Sequence, residues 1–337
     1  MPTLDRSRFL VLITTCLLSA SMLSGMAPSP QGGGTIYFAS SGLTMTMNSD
    51  GSNKTTLPAN VTGEPSLGLH GGHRWFLQSR NLTGQTYPNG RTRREFFAVR
   101  DDGNTAVEVQ LTNQPDLEHG YWVRWSPGDL AMSFVARRWD LGGNQIVDGG
   151  IYAAYVVFDG AGSVTGVVAP PTMPLVPVPL ILWPANLGGV YAGELGPDIM
   201  SFAWSPAASQ IVYESNSRTE LRVATIGGST TTILTGTWCA VPEWSPTGAP
   251  IAYTNQQSGI STVRPDGTGV TQLSKRTPNL SYSKPSWSPT GSHIAYDIWD
   301  GWGFPYPYDV GRMTAAGKSK TSLTSSLAAG GALIGWR

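Results

Sequence analysis

The stretch Val241–Leu273, VPEWSPTGAPIAYTNQQSGISTVRPDGTGVTQL, is one full copy of a unit that recurs along the chain. Trp244 closes a short apolar run, and Ser245-Pro246-Thr247-Gly248 follows it. Ser is favoured at the first position of a type I turn, Pro presets φ at the second, and Gly suits the last. Ile251-Ala252-Tyr253 then reads as a second strand, Ile260 to Arg264 as a third, and Val270 to Leu273 as a fourth, with Asp266-Gly267 as a hairpin turn. Four short antiparallel strands in about forty residues is the size of one propeller blade.

Working outward, Trp-Ser-Pro recurs at Trp125, Trp204 and Trp287. The strand after it reads AMSFV from Ala131, QIVYE from Gln210 and IAYD from Ile294. Asp50-Gly51, Asp102-Gly103 and Asp159-Gly160 repeat the hairpin turn. A worn copy starts at Glu64, with Pro65-Ser66-Leu67 where Trp-Ser stands elsewhere and Arg74-Trp75-Phe76-Leu77 as its second strand. Five units are whole. The sixth is split: the chain ends on Ala332–Trp336, a first strand with nothing after it, and the blades open on Thr35–Phe38, a second strand with nothing before it. The expected fold is all-β: a six-bladed β-propeller of four-stranded antiparallel blades over residues 35–337, its ring closed by the C-terminal strand. Closure leaves no long sheet edge open to other chains.

The pattern Trp-Ser-Pro-x-Gly, an Ile-Ala-Tyr strand, then Asp-Gly resembles the repeat of the TolB-type β-propeller. The best matches are WSPTGAPIAY from Trp244 and WSPTGSHIAY from Trp287. The resemblance is to the propeller alone, because nothing between the leader and Thr35 corresponds to the α/β domain that periplasmic TolB carries ahead of it. It implies a propeller fold and a place in the cell envelope.

Composition agrees. With 41 Gly, 25 Pro and only 13 % charged residues, the chain suits many turns and few helices. Zero formal net charge gives no footprint for nucleic acid or for an anionic membrane surface. Residues 1–27 read as a signal peptide: Arg6 and Arg8 supply a basic start, and Phe9 to Leu23 form an apolar run too short to span a bilayer comfortably. The expectation is an exported monomer, periplasmic or secreted, with 28–34 as a flexible lead-in. Past the leader only Cys239 remains, which excludes an intrachain disulfide and reads as a small buried hydrophobe.

In a blade, the turns between strands one and two and between three and four share one face. The loops between two and three and between blades share the other. Here the first face is monotonous, and the second carries the long segments Ser79 to Arg94, Arg137 to Gly149, Asp297 to Asp309 and Ala169 to Ile199. Binding function concentrates on such loops when a rigid scaffold holds them. Catalytic groups are sparse. No Gly-x-Ser-x-Gly elbow or phosphate-cradling loop occurs. Of four histidines only His119 falls on the elaborated face, so no metal or cofactor is expected. Arg91-Thr92-Arg93-Arg94 reads as a solvated loop tip.

The candidate site is the aromatic loop after Ile298. Trp299, Trp302, Phe304, Tyr306 and Tyr308 fall within ten residues, punctuated by Gly and Pro that break a strand ladder. Amphipathic rings of this kind suit a protein hot spot or a glycan, with Arg137, Trp139 and Asp140 supplying further contacts. Three functions compete: a non-catalytic binding or scaffolding propeller with a protein partner, a carbohydrate-binding propeller, and a propeller enzyme of lyase or lactonase type.

Overall fold

The computed structural model describes residues 33–129, 131–140, 142, 146–168, 178–182, 201–215, 218–226, 229–255, 259–300 and 308–337. Within them, short runs rich in Val, Ile, Tyr and Phe form strands because branched and aromatic side chains pack well on a pleated surface. Blade 1 holds β1 (Thr35–Ser40), β2 (Leu43–Asn48) and β3 (Thr55–Thr56). Blade 2 holds β4 (Glu64–Pro65), β5 (Trp75–Thr86), β6 (Thr92–Arg100) and β7 (Val109–Gln110). Blade 3 holds β8 (Leu117–Trp125), β9 (Ala131–Trp139), β10 (Ile146–Phe158), β11 (Val164–Val168) and an added β12 (Val178–Leu182).

Blade 4 runs through β13 (Phe202–Trp204), β14 (Gln210–Ser215), β15 (Glu220–Thr225) and β16 (Thr230–Thr235). Blade 5 is β17 (Cys239–Trp244), β18 (Ile251–Asn255), β19 (Ile260–Val263) and β20 (Thr271–Gln272). Blade 6 is β21 (Leu280–Trp287), β22 (His293–Asp300), β23 (Tyr308–Thr314) and β24 (Thr321–Ser322). Finally β25 (Ala332–Trp336) returns to blade 1 and pairs antiparallel with β1, matching Ile36 to Trp336 and Phe38 to Leu333. The split sixth blade is therefore real, and the ring is closed by backbone hydrogen bonds.

Two repeated devices join neighbouring blades. The first is the indole of the Trp-Ser-Pro tryptophan. Trp125 Nε1 donates to the Glu64 carbonyl one blade back at 3.1 Å, and Trp287 Nε1 does the same to Glu243 at 3.1 Å. Between blades 4 and 3 a hydroxyl relays the contact: Trp204 Nε1 donates to Ser133 Oγ at 2.7 Å, which donates to the Arg124 carbonyl at 3.2 Å. Trp244 instead bonds the Gly248 carbonyl of its own turn at 2.8 Å. At the closure, Trp336 Nε1 reaches the Gly33 carbonyl at 2.7 Å.

The second device uses the residue that ends IVYE, IAYT and IAYD. First strands β17, β21 and β25 each carry a bulge against the second strand of their blade, and a bulge frees backbone groups from the ladder. The freed N–H is caught by the preceding blade: Val241 N donates to Glu214 at 3.0 Å, Lys284 N to Thr254 Oγ1 at 3.0 Å, and Leu333 N to Asp297 at 2.6 Å. Val241 and Lys284 sit at φ 49 and 51, conformations that persist only where surrounding contacts hold them.

The Ser-Pro turns form as the sequence predicts, with the fourth residue bonding back to Ser126, Ser205, Ser245 and Ser288. The Asp-Gly turns differ in detail. Gly267 N bonds the Arg264 carbonyl and Arg264 N the Thr268 carbonyl, so Pro265-Asp266 are the central residues and Gly267 is the left-handed residue of a bulge, at φ 85. Cys239 is fully buried, and burial pushes its thiol up to about 12, so it packs as a small apolar side chain. The signal-peptide reading of 1–27 lies outside the described residues. Val178–Leu182 of the Pro-rich segment pairs β10 beyond the end of β11, with Pro179 at a register shift, which is how proline enters the margin of a sheet.

Deleting Ala332–Arg337 removes the closing strand, and the expected outcome is cooperative loss of the whole ring; thermal melting followed by circular dichroism checks it, and an unchanged Tm contradicts it. The carboxyl staples carry a pH signature. Burial pushes Glu214 up to about 7 and Asp297 up to about 6, with Arg218 and Lys284 pulling only partly the other way. A carboxyl raised on folding adds stability below its unfolded pKa, about 4, and that contribution is lost as pH rises through the folded value. Glu214→Gln with Asp297→Asn keeps both acceptors, so the double variant should gain stability over the wild type progressively between about pH 4.5 and 7.5, read from urea melts across that range.

Candidate functional site

Strand length sets where the site stands. In blades 4 and 5 the second and third strands span 6 and 6, then 5 and 4 residues. In blade 2 they span 12 and 9, in blade 3 they span 9 and 13, and in blade 6 they span 8 and 7. In blades 2, 3 and 6 the segments expected as long loops thus begin and end as paired ladder. β5 and β6 stay in register to Asn81–Arg94, pair again at Thr86–Thr92, and close on a turn where Gly90 N bonds the Tyr87 carbonyl at 2.9 Å. On one face of the ring the described strands of blades 2, 3 and 6 run past the lengths seen in blades 4 and 5 as paired ladder, so their backbone groups are satisfied there.

Glu118 locks the ladders of blades 2 and 3 together. It lies on β8 opposite Arg137, its side chain 5 % exposed, and its carboxylate accepts from four donors. Arg137 Nε at 2.8 Å and Trp139 Nε1 at 2.7 Å come from the blade 3 hairpin, and Asn89 Nδ2 at 2.9 Å and Arg91 at 3.2 Å from the turn of the blade 2 hairpin. Burial raises the carboxyl, but the Arg137 and Trp139 donors and the charges of Arg137 and Arg91 outweigh it, so Glu118 is held below its ordinary range. The Arg137 guanidinium also stacks over the Trp139 ring at 5.0 Å.

His119 is fully buried between Phe96 and Phe134, with Nδ1 donating to the Arg94 carbonyl at 2.7 Å. Burial lowers its pKa to about 4, so it is neutral and packs as an aromatic. Arg93 is bound by Glu95, Gln85 and Asn113. The basic run Arg91–Arg94 is therefore partly neutralised within its own hairpin rather than standing free in solvent.

The residues singled out in the sequence divide into three groups. Arg137 and Trp139 meet at Glu118, and Asp140 follows at the end of β9, half-buried. Trp299 is half-buried on β22 with Nε1 donating to Ser283 Oγ at 3.1 Å, and it pairs in register with Tyr308 on β23, so strand alternation does reach both positions. Trp302, Phe304 and Tyr306 lie outside the described residues. Glu118, Asn89 and Arg91 were not legible as a group. The bulge between His119 and Val123 shifts the β8 register, so counting from Trp125 does not place Glu118 opposite Arg137.

On the opposite face, His73, Asp101 and Asp102 bring possible ligand atoms within 4.8 Å of one another. Arg100 already holds Asp102 through both carboxylate oxygens, and Asp101 accepts from Arg74 N and contacts His73 Nδ1, each at 2.9 Å. His70 contacts Asp129 at 3.1 Å, a partner supplied by the next blade that the local sequence does not show.

No protein-family model and no curated protein matches the chain. Among solved structures it is similar to a putative TolB from Agrobacterium tumefaciens, 14 % identical, covering 86 % of this chain and 87 % of that one with a TM-score of 0.53. An oligogalacturonate lyase from Vibrio parahaemolyticus matches at 11 % identity over 86 % and 70 % of the two chains, TM-score 0.44. A GH74 enzyme from Niastella koreensis matches at 14 % identity over 86 % and 45 %, TM-score 0.48. What the first of these establishes is architecture: the chain is a six-bladed β-propeller with a TolB-like fold.

Proposed function

We propose that the chain is an exported, non-catalytic binding propeller, periplasmic or secreted, that holds a protein partner on the raised hairpins of blades 2, 3 and 6. The observation that carries this reading is the Glu118 hub, which ties Asn89 and Arg91 of one hairpin to Arg137 and Trp139 of the next. Hairpins locked before contact lose less entropy on association than free loops do, so more of the contact energy appears as affinity. Export rests on the basic and apolar pattern of residues 1–27, and no helix of the described residues is long and apolar enough to cross a membrane.

A glycan ligand is the second reading, carried by Trp139 of blade 3 and Trp299 of blade 6, on the same face but across the ring from each other. Their indole N–H groups are already engaged by Glu118 and Ser283. That leaves ring surface rather than free donors, which favours an apolar protein contact over a hydroxyl-rich sugar.

Two outcomes follow. Glu118→Ala leaves the Arg137 guanidinium buried without its carboxylate, which should cost on the order of 3 kcal/mol. Amide hydrogen exchange should rise first in Thr86 to Thr92 and in β9–β10, while blades 4 and 5 stay protected. In the aromatic loop, Trp302→Ala with Tyr306→Ala should weaken retention of a partner from native envelope or secreted extract at least tenfold, about 1.4 kcal/mol, with Tm kept. Unchanged retention, or collapse of Tm with unchanged binding per folded molecule, assigns those rings to packing.

A further inference from the structure

The central channel is blocked at one level and open above it. The first strands of the blades line the axis, and Arg124 on β8 reaches across it. One terminal nitrogen contacts Glu64 of blade 2 at 3.1 Å and the other Glu243 of blade 5 at 2.8 Å. Arg337 adds a second guanidinium to Glu64. Burial raises the Glu64 carboxyl, but Arg124 and Arg337 outweigh it and hold Glu64 below its ordinary range, so it stays ionised. Two guanidiniums and two carboxylates thus form an internally balanced plug near the Trp-Ser-Pro level.

Between that plug and the hairpin face lies a cavity of about 320 Å³, at the lower end of the range of small-molecule sites. Its apolar walls are Leu77, Val123 and Ile334, from blades 2, 3 and 1. Its polar groups are several donors and the Glu64 carboxylate, which Arg124 and Arg337 already hold. Lys284 Nζ bonds the Leu333 carbonyl and is in no ion pair among the described residues, which leaves two N–H groups. Arg124 and Ser79 line the same cavity, and Arg124 Nε and Ser79 Oγ are buried with no hydrogen-bond partner. Orphaned buried donors are costly, on the order of 1–3 kcal/mol each, and native structures keep few of them. Of the opposing charges, Glu64 lines the cavity and is already paired with Arg124 and Arg337, while Asp297 is buried, accepts Leu333 N at 2.6 Å and does not line it.

The geometry points to this cavity as a binding site for a small carboxylate with an apolar body, its oxygens on Lys284 Nζ, Ser79 Oγ and Arg124 Nε and its body against Leu77, Val123 and Ile334. The site stands independently of the hairpin face. An ionised acceptor meets charged donors more strongly than a neutral one does, because charge-assisted hydrogen bonds are shorter and roughly twice as strong. The uncharged amide of the same shape lacks that gain and adds two N–H donors that the site's own donors cannot accept.

Isothermal titration of the purified chain with phenylacetate and, separately, with phenylacetamide tests this. Phenylacetate should bind one to one at millimolar concentration or below, and the amide at least tenfold more weakly. Lys284→Met should abolish the difference between acid and amide. Because the Lys284 side chain also reaches Leu333 of the closing strand, Ser79→Ala provides a second variant, which should weaken phenylacetate several-fold at unchanged Tm. Equal affinity for acid and amide in the wild type overturns the assignment. So does full acid preference in a folded Lys284→Met chain, or the lack of saturable binding of either probe, which would leave the cavity to water. Retention of a protein partner by the hairpin face tests the other reading and is unaffected by these outcomes.

Discussion

Pairing of β25 with β1 is the constraint on which the other contacts depend. A propeller blade buries its two faces against its neighbours, so each blade is stable only inside a complete ring. Joining Ala332–Trp336 to Thr35–Ser40 makes the first blade from both ends of the chain and removes the free flanks a linear array would expose. Ile36, Phe38, Met47, Leu333 and Trp336 pack into one buried cluster with Val310 and Leu323 of blade 6, so closure is an apolar contact as well as a ladder. With Cys239 buried and unpaired, no disulfide supports it among the described residues.

Inside the ring, the same two contacts recur with local substitutions. The indole-to-carbonyl contact survives where Ser133 relays it and is redirected at Trp244. The catch on the bulged N–H works with a carboxyl at Glu214 and Asp297 and a hydroxyl at Thr254. What is kept is the acceptor, not the residue type, because an N–H freed by a bulge and buried between blades must be satisfied. Using a carboxyl there makes the fit sensitive to ionisation; a hydroxyl does not.

Scaffold and elaboration divide by face. The turn face is built from short Ser-Pro and Asp-Gly turns, and the opposite face carries the hairpins of blades 2, 3 and 6. The longest ladders, in blades 2 and 3, converge on Glu118, the charged group that joins them. Between the faces, Arg124 spans the axis from blade 3 to blades 2 and 5, and its plug gives the cavity above it a charged floor. Hairpin face and cavity are separate features of one rigid frame.

Fold, blade number and closure were all legible in the chain, because each rests on local, repeated chemistry. Trp-Ser-Pro sets a turn, Ile-Ala-Tyr sets a buried strand, and Ala332–Trp336 lacks the second strand that Thr35–Phe38 begins with. The face that carries the elaboration followed from where the spacing lengthened, and Arg137 and Trp139 were found there. Their partners were not. Glu118 meets Asn89, nearly thirty residues away, and Arg124 meets Glu243, 119 residues away. Asp129 meets His70 across 59 residues. Side-chain pairing between blades depends on bulges such as those at His119–Val123 and Ala240–Glu243, which shift the register that simple counting assumes. Periodicity therefore determined the ring, and only the closed ring decided which charges meet, because those meetings are set by the geometry between blades and not by the order of residues within one.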